Sequence, residues 1–324
     1  MVAAARAFGA REPDASVRNP DYLAERFLGP AERQLIAEHP IAAALDADYE
    51  QSRQQMEVAG ASNLMLARTR FIDDRLQTAI ANGATQVVIL GAGFDTRAYR
   101  FKDLLQGKAV FEVDYRSTQE FKKRRVEATL GHPPSNLTFV EIDFQRDKLD
   151  AVLRDARFQP GGKSFFVWEG VSMYLPESAV RETLRNFASL SGPGSSLVMD
   201  FATQAAIEML AKLPWHPQHK FTTEWGEPWI FGIPDGRERA FFRECGLEVR
   251  EILAFFGGDA GKRYLTRADG TRLGRGKPGQ NYARRSSVLS RLATTMQLIG
   301  PIARMLMSRS KGYALAELVL LPRS

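Results

Sequence analysis

Five short runs in the middle of the chain are almost wholly apolar: "QVVIL" (86–90), "AVFEVD" (109–114), "LTFVEID" (137–143), "SFFVWEG" (164–170) and "SSLVMDF" (195–201). Each is rich in β-branched or aromatic residues. Between them the spacing turns helical, over Thr118–Thr129, Lys148–Arg154 and Glu177–Leu190. Continuous apolar strands alternating with helices predict a parallel sheet covered on both faces.

The flanks read differently. Residues 1–30 lack regular periodicity and carry Pro13, Pro20 and Pro30, which predicts an extended or partly ordered arm. Helical spacing follows from Ala31 to Gln55, broken at Pro40, and again from about Ser62 to Asn82. After Phe201 the alternation stops in an aromatic, proline-rich stretch, "PWHPQHKFTTEWGEPWIFGIP". A short helix (Arg237–Cys245) then leads to a strand, "LEVREIL", and "YALAELVLLP" reads as the last strand. The chain is thus expected to be one domain: an N-terminal arm and helical cap (1–84), a core (85–201) and a C-terminal cap (202–324).

Charge adds one asymmetry. Of the net +6, residues 257–324 contribute +10, with 13 Lys and Arg against Asp259, Asp269 and Glu317, so the other 256 residues sum to −4. The basic excursion at about 257–312 includes an amphipathic stretch (287–308) with the character of a peripheral membrane contact or of a helix lying over a pocket. Nothing in the sequence reads as a membrane span or secretory signal, and one cysteine, Cys245, excludes an internal disulfide. A cytoplasmic protein is expected. The histidines are scattered; only His216 and His219 are close, with no cysteine nearby, and no metal site is expected.

The candidate chemistry lies in "ILGAGFDTRAYR". A dinucleotide site calls for G-x-G-x-x-G. Gly91 and Gly93 fit, but the third glycine position is Thr96, and Asp95 stands where a pyrophosphate would arrive. A carboxylate repels phosphate and attracts a sulfonium or ammonium, so the loop suits S-adenosylmethionine better than NAD. Asp114 ends the second run, 23 residues after Gly91, where it can accept from ribose hydroxyls. Asp143 could accept from an adenine amino group, with Phe144 packed on the base; both carboxylates also suit helix capping. On the preceding helix, Arg68 is suited to grip a carboxylate, whereas Arg70 and Arg75 suit a solvated face with an Arg70–Asp74 pair. Glu169 and Tyr174 follow the fourth strand, where ligands meet open α/β sheets; Trp168, Met173 and Leu175 read as core.

Arg68, "ILGAGFDTRAYR", "FEVD", "EIDF" and "EGVSMYL" together resemble the leucine carboxyl methyltransferase family, in particular its bacterial S-adenosylmethionine-dependent branch. The resemblance covers about Ala67 to Phe201. It implies the class I methyltransferase fold, a Rossmann-like seven-stranded sheet with one antiparallel strand. By position, it implies that Arg68 holds the methionine carboxylate and that Gly91, Ala92 and Gly93 pass under the cofactor. Asp114 then takes the ribose, Asp143 and Phe144 frame the adenine, and Glu169 contacts the methionine portion. Asp95 and Arg97 belong to the branch's D-T/A-R signature.

The expected reaction is O-methylation of a carboxylate or hydroxyl on a small molecule, by in-line displacement with the nucleophile held roughly 3–3.5 Å from the methyl carbon. A carboxylate needs no base; a hydroxyl does, and Glu169, Tyr174, His216 and His219 are candidates. The alternatives are a nucleic-acid or protein carboxyl methyltransferase, an NAD(P)-dependent oxidoreductase, and a non-enzymatic membrane-surface or partner-binding protein. Nucleic acid is disfavoured by the lack of an aromatic-Pro-Pro motif or a suitable cysteine nucleophile. The oxidoreductase is disfavoured by Thr96, Asp95 and the lack of a Tyr-Lys or His pair.

Overall fold

The computed structural model describes residues 1–53, 61–144, 146–212, 228–255, 259–273 and 312–322. His216, His219 and the 287–308 stretch lie outside the described residues. The apolar runs form β1 (Gln86–Leu90), β2 (Ala109–Asp114), β3 (Leu137–Glu141), β4 (Ser164–Trp168) and β5 (Ser196–Ala202), followed by β6 (Leu247–Ala254) and β7 (Tyr313–Leu320). They build one seven-stranded sheet in the order β3-β2-β1-β4-β5-β7-β6. β1 to β5 pair in parallel, and β7 runs antiparallel to both β5 and β6. This is the expected class I methyltransferase sheet, with one antiparallel strand.

Because strand side chains alternate, each strand feeds two cores. Val88, Leu90, Phe166, Trp168, Leu197 and Met199 face one side, against α7 (Leu149–Asp155), α8 (Glu177–Leu190) and α10 (Glu238–Glu244). There Phe111, Phe158, Phe166 and Phe187 meet edge to face at 5.1–5.9 Å, the preferred aromatic arrangement. Val87, Ile89, Phe165, Val167 and Val198 face the other side, against α4 (Ala61–Ala81), α5 (Arg97–Arg100), α6 (Arg116–Leu130) and α11 (Asp259–Tyr264). α9 (Gln204–Ala211) follows β5. Among the described residues no helix is long and apolar enough to cross a membrane.

The N-terminal segment corrects one expectation. Residues 2–10 form a helix, α1 (Val2–Ala10), in which Ala3, Ala4, Ala5, Arg6, Ala7 and Phe8 are all buried. With α2 (Pro30–Leu35) and α3 (Pro40–Asp46) it builds a third core that includes Ile36, Ile41 and Met65. A helix buried nearly all round has no polar face, and so shows no 3.6-residue periodicity to read. Pro40 does interrupt the helical stretch, but by opening α3 at its first turn, where its missing N–H costs nothing.

Three carboxylates interrupt otherwise apolar strands. Glu112, Asp200 and Glu317 alternate with residues of the α7/α8 core, so all three point to the α4/α6 face. Each meets a cation from a helix: Lys122 Nζ to Glu112 at 2.8 Å, Arg68 Nη1 to Asp200 at 2.8 Å, and Arg75 Nε to Glu317 at 2.9 Å. Arg75 also pairs with Glu251, so it ties α4 to the sheet and does not decorate a solvated face. Arg70 does not make the expected bond to Asp74 either. It donates to the Ala15 and Arg18 carbonyls, and Asp74 accepts from Tyr264 at 2.9 Å.

Burial raises the Glu112 carboxyl from 4.5 to about 7, although Lys122 pulls the other way. A carboxyl that keeps its proton better when folded stabilises fully below about pH 4.5, and that contribution is lost as pH rises through about 7. Across this window the denaturation midpoint of the wild type should fall relative to that of Glu112→Gln/Lys122→Met. Parallel curves would show that the pair does not titrate there.

Candidate active site

The carboxyl ends of the parallel strands gather the predicted residues. Beyond β1 the backbone turns at Gly91 (φ +62°), and the Gly91 and Ala92 amides both donate to the Val113 carbonyl, at 2.8 and 3.1 Å. A Cβ on Gly91 would stand 2.3 Å from Val171 Cγ2, so this position also admits no side chain on steric grounds. The turn leads the Gly93 amide to Asp114 Oδ2 at 2.5 Å, while Tyr115 N donates to Oδ1 at 2.7 Å. Burial raises the Asp114 carboxyl, and these two amides oppose the rise. A carboxylate offers about four lone-pair sites, so two backbone donors leave capacity for a ligand's hydroxyls.

Glu169, just past β4, holds three guanidinium groups. Arg6 from α1 and Arg68 from α4 both reach Oε1, the latter at 2.7 Å, and Arg97 from α5 reaches Oε2 at 2.7 Å. The four side chains are 1–6% exposed. Burial alone would raise the Glu169 carboxyl, but Arg6, Arg68 and Arg97 outweigh it and hold it well below the usual range. A carboxylate so held is a feeble base and a firm counter-ion.

The network continues outward. Arg97 also pairs with Asp73 at 2.7 Å and with Asp95 at 2.5 Å, and Asp95 Oδ1 accepts from the Arg97 amide at 2.7 Å. Arg100 pairs with Asp73, and Arg6 with Asp21, whose other oxygen accepts from Thr96 at 2.6 Å. Counted together, Arg6, Arg68, Arg97 and Arg100 face Asp21, Asp73, Asp95, Glu169 and Asp200, a formal balance of −1. Three donors are nonetheless poorly served. Arg6 Nε and Arg97 Nη2 are buried without an acceptor, and Arg68 Nε lies close to Glu169 but off its N–H axis. Buried N–H groups in that state favour a further acceptor.

Arg68, Gly91, Ala92, Gly93, Asp95, Asp114 and Glu169 therefore share one margin of the sheet. Asp95 is turned towards Arg97, so its charge is answered within the protein and is not aimed at a ligand as expected. Asp143 and Phe144 stand at the neighbouring end of β3, where the half-exposed Asp143 accepts from Tyr115 at 3.2 Å and Phe144 packs against the core. Tyr174 is half-buried in a turn after Glu169, and Trp168, Met173 and Leu175 are core as expected. Among the described residues no three His, Cys, Asp or Glu side chains converge to hold a metal ion.

Sequence reading missed Arg6, Asp200, Tyr115 and Tyr313. For two of them a signal exists: Arg6 in "VAAARAFGA" and Asp200 in "LVMDF" are charges inside apolar runs, and a buried charge requires a partner.

Residues 1–188 match the leucine carboxyl methyltransferase family. A Mycolicibacterium smegmatis protein named "Putative S-adenosyl-L-methionine-dependent methyltransferase" is 35% identical over 199 residues, which is 61% of this chain and 64% of that protein. A protein of the same name from Mycobacterium sp. (strain JLS) is 34% identical over 212 residues, 63% and 65% of the two chains. The match thus spans less than two-thirds of these relatives. Among solved structures, a DUF574 family protein from Streptomyces avermitilis aligns over 99% of this chain and 97% of its own at a TM-score of 0.53 and 13% identity. A "putative methyltransferase" from Thermobifida fusca aligns over 99% and 95%, at 0.52 and 12%. At such identities these two share the fold.

Replacing Arg97 by Ala should leave Asp73, Asp95 and Glu169 without their common cation and cost about 3–5 kcal/mol of stability. Urea unfolding would measure it, and a loss below about 1 kcal/mol would mean that solvent reaches these carboxylates.

Proposed function

Because the chain belongs to the leucine carboxyl methyltransferase family, we propose that it is an S-adenosylmethionine-dependent methyltransferase acting on a small carboxylate or hydroxyl compound. The observation that carries this reading is the Glu169 cluster, with its formal charge of −1 and its poorly served arginine donors. S-adenosylmethionine carries a sulfonium, an ammonium and a carboxylate, a net +1. Its carboxylate suits the donors of Arg68 and Arg6, and its ammonium suits Glu169. Such an exchange replaces an internal ion pair by two intermolecular ones and leaves no buried charge bare.

Asp114 would take the ribose hydroxyls, and Asp143 and Phe144 the adenine, while Gly91, Ala92 and Gly93 provide a surface without bulk. When bound, the cofactor supplies a methyl group on a positively charged sulfur. The protein's own part is to hold the acceptor in line and exclude water. Glu169 is too firmly ion-paired to serve as a good proton acceptor, which supports an acceptor that is already ionised. We therefore favour a carboxylate acceptor and an ester product. If the acceptor is a hydroxyl, Tyr174 is the candidate among the described residues for moving its proton.

Arg68→Ala should weaken binding of S-adenosylhomocysteine about 10- to 100-fold, since bonds to a charged group contribute about 1.5–3 kcal/mol. Titration calorimetry reads this directly, and unchanged affinity would remove Arg68 from the site. Incubating small-molecule extracts with labelled methyl donor identifies the acceptor. Mild alkali then releases label from an ester and not from an ether.

A further inference from the structure

Arg68 is held from behind. Asp200 Oδ2 accepts from Arg68 Nη1 at 2.8 Å, and the same Nη1 donates to the Tyr313 hydroxyl at 2.8 Å. That hydroxyl in turn donates to Asp200 Oδ2, which closes a three-membered ring of contacts. Asp200 is fixed from two further directions: Gly170 N donates to Oδ1 at 2.6 Å, and Ser172 Oγ donates to its carbonyl at 3.0 Å. Asp200 and Tyr313 are 0% and 4% exposed, so solvent does not compete for these bonds. Tyr313 opens β7, and its ring stacks on Trp229 with centroids 6.1 Å apart and planes 26° apart.

The ring of contacts engages Nη1, on the side of the guanidinium away from the Nε–Nη2 edge. With Nη1 engaged, that edge is the one left to meet a carboxylate through two parallel N–H bonds, and its Nε already lies 2.7 Å from Glu169. An arginine otherwise carries about 2 kcal/mol of rotamer entropy, which would be lost on binding if it were not already ordered. Burial would lower the Arg68 guanidinium, but Glu169 and Asp200 outweigh it and keep the group charged.

We propose that Asp200 and Tyr313 are positioning residues that hold Arg68 by Nη1, so that its Nε–Nη2 edge is presented to the α-carboxylate of the cofactor's amino-acid tail. The inference rests on the cofactor reading above and extends it to two residues on strands β5 and β7. A role confined to packing would affect every ligand of the site alike; a role through Arg68 affects only ligands that carry the tail.

5′-Methylthioadenosine provides the contrast, because it keeps the adenine, ribose and sulfur of S-adenosylhomocysteine and lacks the amino-acid tail. In calorimetric titrations, Tyr313→Phe should bind S-adenosylhomocysteine about five- to tenfold more weakly, the effect of about one lost hydrogen bond. It should bind 5′-methylthioadenosine as the wild type does. Asp200→Asn, where its melting curve shows a folded protein, should give the same selectivity with a larger loss. Equal weakening of both ligands, or unchanged binding of S-adenosylhomocysteine by Tyr313→Phe, overturns the proposal. A wild type that binds neither ligand overturns the cofactor reading itself, and this inference with it.

Discussion

One buried carboxylate organises this molecule. Glu169 draws guanidinium groups from α1, α4 and α5 to the end of β4. Taking an isolated ion from water to a protein interior costs several kcal/mol even after relaxation, so none of these charges is stable there alone. Each is acceptable because the others are present. The N-terminal helix is attached to the sheet by the same logic: its Ala-rich surface packs into a small core, and Arg6 delivers its charge to Glu169 and Asp21. Stability and the candidate site are therefore not separable at this margin.

The sheet carries this logic inward. Glu112, Asp200 and Glu317 occupy inward positions on one face, where apolar side chains would pack more simply. Each is matched to a long basic side chain of α4 or α6. These pairs set the register of the two helices against the strands, because a shift of one turn would leave a carboxylate and a cation each buried without a partner. At Asp200 the pairing merges with the site, since Arg68 touches both Asp200 and Glu169. At Glu317 it binds α4 to β7, away from the glycine turn.

Asp95 is consumed by the Arg97 amide and guanidinium, so its charge is not directed at a ligand on its own. It belongs to a cluster with one more carboxylate than arginine, beside a further carboxylate at Asp114. A zwitterion with an extra positive charge, such as the proposed cofactor, would match that balance. Thr96, which stands where a third glycine would be, accepts the consequence: its hydroxyl ties the turn to Asp21 in the N-terminal segment.

The order of strands and helices was legible in the residues themselves. Apolar runs such as Val87–Leu90 and Phe165–Trp168 have no stable place except between two covered faces, and their separations are long enough for the helical crossovers that parallel strands need. Gly91, Gly93 and Asp114 were legible as well, because a backbone turn without side chains leaves its mark at fixed spacing. The partners were not. Arg6 and Glu169 are 163 positions apart, and Arg68 and Tyr313 are 245 apart. No local pattern specifies which distant cation answers a buried carboxylate; only the closed fold decides it, because electrostatic pairing acts between positions in space and not along the chain.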